Sequence, residues 1–259
     1  MHTVARDDTF ELPPPSQRFV GVFEHIAGAV RRPLGTDDAV LDFGAGAGRH
    51  VAEFRAAGYE AVGVDQEFVS HEEGSVQTQF LHRVDPPDYL LPFADDTFDF
   101  VYSTSVMEHV VDPGGALAEI ARVLRPDGLS IHCFPSRWRP REPHMYLPFG
   151  GRFNSYAHMA LWARLGVRNE HQRGLGATEV ALRNVQYAKT GLSYPTAREW
   201  RLRSESLFAD VRWGERAYIE ATQPISTASR LVAPLRALPG IEALYRGLHT
   251  RALVLAEPR

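Results

Sequence analysis

Cysteine and lysine are almost missing from this chain: Cys133 and Lys189 each stand alone among 259 residues. One cysteine excludes an intrachain disulfide, and nothing points to an oxidising compartment. Basic charge therefore falls on arginine, which reads as coding bias rather than as mechanism. No apolar run reaches the length of about 18 residues that would suggest a membrane span. Met1 to Pro15 is polar and proline-rich, without the apolar centre of a secretory signal. The chain thus reads as cytoplasmic. A formal net charge of -4 leaves no basic footprint, which argues against nucleic acid as a partner. Hydrophobic content of 44% and charged content of 23% are ordinary for a globular protein, and the length suits one α/β domain with an insertion.

Apolar spacing alternates between strand and helix periods, which predicts a parallel sheet covered on both faces. Helical spacing runs from Gln17 to Arg31. Strands are expected at Ala39 to Phe43, Ala61 to Val64, Phe80 to Val84, Phe98 to Ser103 and Leu129 to Phe134. Helices follow at Arg49 to Ala57 and Gly114 to Leu124, the second stopped by Pro126 and Gly128. The segment Gln66 to Thr78 gives no clear period. From Pro135 to about Tyr194 the rhythm breaks, with helices expected at Tyr156 to Leu165 and Thr178 to Ala188. A helix over Pro195 to Phe208, a strand over Asp210 to Trp213, two short helices (Ser229 to Ala237 and Ile241 to His249) and a last strand over Ala252 to Ala256 complete the chain. The expected fold is α/β: a doubly wound, mostly parallel, seven-stranded Rossmann-like sheet with a lid inserted after strand five. One domain is expected, divided into an N-terminal helical cap (1–38), a cofactor half (39–134), a lid and acceptor insertion (135–194) and C-terminal strands and helices (195–259).

The most informative stretch is Val40-Leu41-Asp42-Phe43-Gly44-Ala45-Gly46-Ala47-Gly48. An apolar strand meets an acid, and three glycines at alternate positions open a helix, so that a ligand can lie against bare backbone. Asp42 would repel a pyrophosphate. It would attract S-adenosylmethionine (SAM), which carries an ammonium and a sulfonium. Arg49 stands where a dinucleotide fingerprint asks for glycine. Asp65 closes the second strand about 20 residues on, where a carboxylate can accept ribose hydroxyls.

Three further motifs lie downstream. Leu91-Pro92-Phe93-Ala94-Asp95-Asp96-Thr97-Phe98-Asp99 leads into strand four, and Ser103-Thr104-Ser105-Val106-Met107-Glu108-His109-Val110 ends it. Leu124-Arg125-Pro126-Asp127-Gly128 precedes strand five. With the glycine turn, these resemble the class I SAM-dependent methyltransferases, in the branch of small-molecule and quinone-biosynthesis enzymes, over roughly Val40 to Phe134. The resemblance implies that Gly44, Ala45 and Gly46, with Gly48 closing the turn, lie along the methionine part of SAM. Asp42 would sit near the ammonium, Asp65 on the ribose, Gln66 beside adenine and the Ser103 backbone near the sulfonium. An acid near the adenine amino group falls to Asp85 or Asp88, of which Asp85 is nearer the strand end. Asp85-Pro86-Pro87-Asp88-Tyr89 looks like the signature of base-modifying amino-methyltransferases, but it follows strand three instead of strand four, so base methylation loses support.

For the acceptor, His109 should face the pocket mouth, and its ordinary pKa suits a proton acceptor. Glu142 and His144, two apart, point the same way and make a second candidate pair. The prolines around Arg137, Arg139 and Arg141 favour extended backbone that would align the three arginines. Trp138, Tyr146, Phe149 and Trp162 offer aromatic surface. His132, Cys133, His144 and His158 fit no zinc spacing, so no metal is expected. The reading is SAM-dependent methyl transfer to a small molecule, first to oxygen. Its rivals are an inactive SAM-binding partner protein and, less well supported, a dinucleotide-dependent oxidoreductase, for which no Tyr-x-x-x-Lys pair is present.

Overall fold

Near-continuous burial along short β-branched and aromatic runs builds one sheet with two covered faces. The computed structural model describes residues 15–67, 78–85 and 89–259. Asp88, most of the Gln66 to Thr78 segment and nearly all of the Met1 to Pro15 tail lie outside the described residues. The strands are β1 (Ala39–Phe43), β2 (Glu60–Asp65), β3 (Leu81–Arg83), β4 (Phe98–Thr104), β5 (Leu124–Pro135), β6 (Phe208–Trp213) and β7 (Thr250–Pro258). They form a seven-stranded sheet in the order β3-β2-β1-β4-β5-β7-β6. β1 to β5 pair in parallel, and β7 runs antiparallel between β5 and β6. Strand order reverses between β1 and β4, so the loops leaving their carboxyl ends diverge and open a crevice there.

One face of the sheet packs on α1 (Pro15–Val30), α2 (Arg49–Ala56) and α7 (Glu215–Thr222). The helical spacing of α1 buries Val20, Phe23, Ile26 and Ala27 against Val40, Phe100 and Tyr102. The other face packs on α3 (Pro113–Val123) and α6 (Ala197–Glu205), where Trp200 is fully buried among Leu41, Phe134 and Leu253. Asp112 caps α3 by accepting from the Gly114 amide at 3.0 Å, with Pro113 pre-set for the first turn. Thr196 and Glu199 close a capping box on α6.

Two expectations change. α3 does not need Pro126 or Gly128 to stop it, because Leu124 is already extended and starts β5. Register jumps from Phe98↔Leu124 to Phe100↔Leu129, so the proline-glycine stretch is a bulge inside the strand. The second change is α7, a helix that the apolar spacing did not announce. It is anchored by the buried Glu215, whose carboxylate accepts from the Ala252 amide at 3.2 Å. α8 (Thr227–Val232) and α9 (Ile241–Leu248) follow it.

The insertion carries a small core of its own, in which Met145, Leu147, Met159, Ala160 and Ala181 are buried between α4 (Tyr156–Arg164) and α5 (Ala177–Thr190). The arginine stripe does not form: the Arg139 amide donates to the Ser136 carbonyl across a turn, which breaks the extended run. Arg141 stacks over the Tyr146 ring instead.

Close approach at Gly63 makes the glycine turn possible. A Cβ there would lie 2.5 Å from the Ala45 Cβ and 2.9 Å from Val51 Cγ2. Gly63→Ala should destabilise the fold by about 1–3 kcal/mol through overpacking, read as a lower urea midpoint. An unchanged midpoint would show that the turn can retreat from β2 without loss.

Candidate cofactor and acceptor site

The turn after β1 is held by a single carbonyl. Val64 O accepts from the amides of Gly44 at 2.8 Å and Ala45 at 2.9 Å. Gly44 has φ +92°, and a Cβ on it would fall 2.2 Å from Val106 Cγ2. Gly46 has φ +53° and nothing within 4 Å of where its Cβ would be, so bare backbone faces open space. Gly48, with φ 75°, caps α2 without a side chain. Asp65 Oδ2 accepts from the Gly46 amide at 2.7 Å, and Oδ1 accepts from the Gln66 amide at 2.6 Å. Oδ1 also accepts from the Glu67 amide at 3.4 Å, a long contact that a stronger donor can displace, and Oδ2 keeps a lone pair for a further donor.

A hollow of about 320 Å³ opens beside this turn, lined by Gly44, Asp65, Gln66, Val84, Tyr89, Thr104, Ser105, Val106 and His109, among others. Ser105 and Tyr89 hold φ of 55° and 44°, left-handed conformations that non-glycine residues adopt only where surroundings impose them. Asp42 stands behind the turn, on the α1 and α2 face. Its Oδ2 is buried without a hydrogen-bond partner among the described residues. Burial pushes its carboxyl up to about 7, against the pull of the Tyr102 phenol and with a further push from Asp65.

Not every expected residue reaches this hollow. Ser103 is fully buried, with its hydroxyl 2.8 Å from His132 Nδ1, whose Nε2 meets the Ser130 hydroxyl, also at 2.8 Å. Burial holds His132 down at about 3, a neutral core histidine. Thr104 and Ser105 line the hollow instead. Asp85 is exposed and paired with Arg83 at 3.1 Å, outside the lining. Ala45, Gly46 and Gly48 form the turn without lining the hollow. Tyr89 and Val106 also line it, without a role assigned to them from sequence.

The acceptor candidates converge from separate segments. His109 follows β4, and its Nε2 is 3.1 Å from Nε2 of His144 in the insertion. His109 Nδ1 donates to the Gly191 carbonyl at 2.6 Å. His144 Nδ1 donates to Glu142 Oε1 at 2.7 Å, and that oxygen also accepts from the Tyr194 hydroxyl at 3.0 Å. Glu142 Oε2 accepts from the amides of His144 at 2.8 Å and Met145 at 2.6 Å. Burial pushes the Glu142 carboxyl up, but these donors outweigh it and hold it below the usual range. Carbonyl and carboxylate can only accept, so both Nδ1 atoms carry the protons and both Nε2 lone pairs aim at one point. Burial lowers the His109 pKa, favouring the neutral ring.

Glu108, next in the chain, is buried with neither carboxylate oxygen hydrogen-bonded among the described residues, and burial pushes it up to about 7. A larger hollow of about 610 Å³ lies within the insertion, lined by His144, Met145, Tyr146, Asn169, Asn184 and Tyr187, among others. Of the four aromatics offered by the sequence, Tyr146 lines this hollow, Trp162 packs on the insertion's core, and Trp138 and Phe149 are exposed.

Residues 41–132 match the family model of the methyltransferase domain. An uncharacterized methyltransferase of Mycobacterium sp. (strain KMS) is 33% identical over 135 residues, covering 52% of this chain and 50% of that protein. A malonyl-[acyl-carrier protein] O-methyltransferase of Erwinia billingiae (strain Eb661) is 32% identical over 162 residues, covering 56% of this chain and 61% of the relative. The chain spans about half the length of the curated relatives it matches first. Among solved structures, PKMT2 from Rickettsia typhi has a TM-score of 0.53 at 15% identity, over 95% of this chain and 54% of that one, a likeness of fold. Residues 41–132, which hold the glycine turn and the hollow beside it, thus match the methyltransferase domain family, in keeping with the class I SAM-dependent methyltransferases that the sequence motifs resemble.

Proposed function

We propose that this protein transfers a methyl group from SAM to an oxygen of a small molecule held by the insertion. The observation that carries the reading is that His109 lines the cofactor hollow with Gly44 and Asp65 while its Nε2 meets His144 of the insertion. The residues present suit SAM: a bare-backbone turn, a carboxylate at the end of β2 and an orphaned buried carboxylate oxygen on Asp42. Asp65 would hold the ribose, Gln66 would lie beside adenine, and Asp42 would attract the ammonium. Bound SAM would supply a methyl on a sulfonium, for transfer to the acceptor oxygen with loss of the carbon–sulfur bond. The two facing Nε2 atoms together accept the one proton that the acceptor hydroxyl loses. Glu142 orients His144 and balances the charge that the pair then carries. The relative named as an O-methyltransferase supports oxygen as the receiving atom.

Three measurements test this reading. Titration calorimetry with SAM should give binding to the wild type and at least a tenfold loss in Asp65→Ala, since two ribose hydrogen bonds to a charged group are removed. Equal affinities would remove Asp65 from the site. His109→Gln should lower kcat by about 10²–10⁴-fold, read as release of labelled methyl across a panel of acceptors, with SAM affinity within about threefold. Matching losses in both quantities would make His109 structural.

Asp42→Asn separates stability from binding. A carboxyl raised from 3.8 to about 7 on folding costs nothing below about pH 4, and the cost grows until the pH passes 7. The ligand-free variant should therefore be more stable than wild type at pH 8, by on the order of 2–4 kcal/mol, and indistinguishable near pH 4. Its SAM affinity should fall at the same time. A variant less stable at pH 8 would show that the carboxylate serves the fold.

A further inference from the structure

Both histidine rings at the junction of the two hollows are steered from behind. His109 Nδ1 is tied to the Gly191 carbonyl and His144 Nδ1 to the Glu142 carboxylate. Metal-binding imidazoles are commonly supported in this manner, with the far nitrogen donating to a carbonyl or carboxylate so that Nε2 faces the ion. The Nε2 atoms are 3.1 Å apart. Two nitrogens bound to one ion at 2.0–2.1 Å lie about 3–3.5 Å from each other, so the pair already has the right separation.

An independent observation points to the same place. Glu108 has a side chain with 0% exposure, and its Oε1 lies 3.9 Å from His109 Nε2. Neither of its oxygens has a hydrogen-bond partner among the described residues. One ligand atom from each of Glu108, His109 and His144 falls within 4.8 Å of the others. Backbone contacts hold this corner, since the Ser193 amide donates to the Glu108 carbonyl at 2.6 Å and the His109 amide to the Val106 carbonyl at 2.8 Å. A proton shared by the two nitrogens satisfies them but leaves Glu108 buried and unmatched. A divalent cation satisfies all three groups, and its two charges balance Glu108 and Glu142.

We propose that Glu108, His109 and His144 form a binding site for one divalent transition-metal ion of the zinc or ferrous type, with Glu142 and the Gly191 carbonyl as outer supports. Two imidazoles select against magnesium and calcium, which take oxygen ligands. Three protein ligands leave at least one coordination position open, as in catalytic sites. His109 lines one hollow and His144 the other, so the ion stands where donor and acceptor meet. Its use, and only its use, rests on the function proposed above: with both Nε2 lone pairs on the ion, the ion would lower the pKa of an acceptor hydroxyl bound at the open position, and the proton would leave to solvent water instead of to the histidine pair.

The test is direct metal binding by tag-free, chelator-treated full-length protein, followed by Co²⁺ absorption spectroscopy and Zn²⁺ competition, with SAM titrated separately. One equivalent of Co²⁺ should bind, with visible ligand-field bands that one equivalent of Zn²⁺ abolishes and millimolar Mg²⁺ does not. His144→Gln should remove the bands, and Glu108→Gln should weaken Zn²⁺ by more than tenfold. Glu142→Gln should weaken it by about 10–100-fold, as loss of an outer support does. Absence of stoichiometric binding to the wild type overturns the site, and so does displacement by Mg²⁺ or an unaltered Co²⁺ spectrum in His144→Gln. The wild-type titration decides even if a variant fails to fold. SAM binding without metal binding overturns this inference alone, and metal binding without SAM binding overturns the proposed function alone.

Discussion

The Val64 carbonyl, accepting from two consecutive amides of the glycine turn, fixes the geometry on which the remaining site depends. Those two hydrogen bonds set the height of the turn over β2, and so the distance from Gly46 to Asp65. They form because Gly63 offers no side chain to the turn and Gly44 none to Val106. Gly63 and Gly44 thus act through contact, bringing the turn onto β2 and Val106 onto the turn more closely than alanine would permit. Once the turn is set, β4 ends beside it, and Ser105 to His109 close the hollow from the other side.

The cofactor half was legible because its signals are local. A strand, a turn and a helix within about ten residues specify one another, and an acid at the end of the next strand follows by topology. The period of the strand decides which side chains face the cleft. Ser103 and Thr104 are neighbours, yet in a strand they face opposite sides. Ser103 goes into the α3 layer with His132, and Thr104 goes to the cleft side. Asp85 follows β3, which is only three residues long, and its exposed carboxylate pairs with Arg83. α7 escaped notice because its buried positions include Glu215 and Thr222, which carry no apolar signal.

The acceptor half was legible only as a set of residue types. His109, Glu142 and His144 could be named, but their meeting depends on a chain return some 80 residues later. Gly191, Ser193 and Tyr194 come back over the end of β4 and tie to His109, Glu108 and Glu142 in turn. No spacing rule in the sequence joins these two segments. Glu108 was passed over for the same reason: its isolation from hydrogen-bond donors is a property of the closed fold.

The two hollows share no lining residue among those described, and the histidine pair stands between them. With donor and acceptor seated as proposed above, neither reactant would have to wait for the other to enter or leave. Loading in random order would be the natural kinetic regime for such a layout, and a spent donor would be exchanged while the second reactant stays seated. That independence would also let the insertion diverge toward new acceptors, leaving the glycine turn and its partners unchanged.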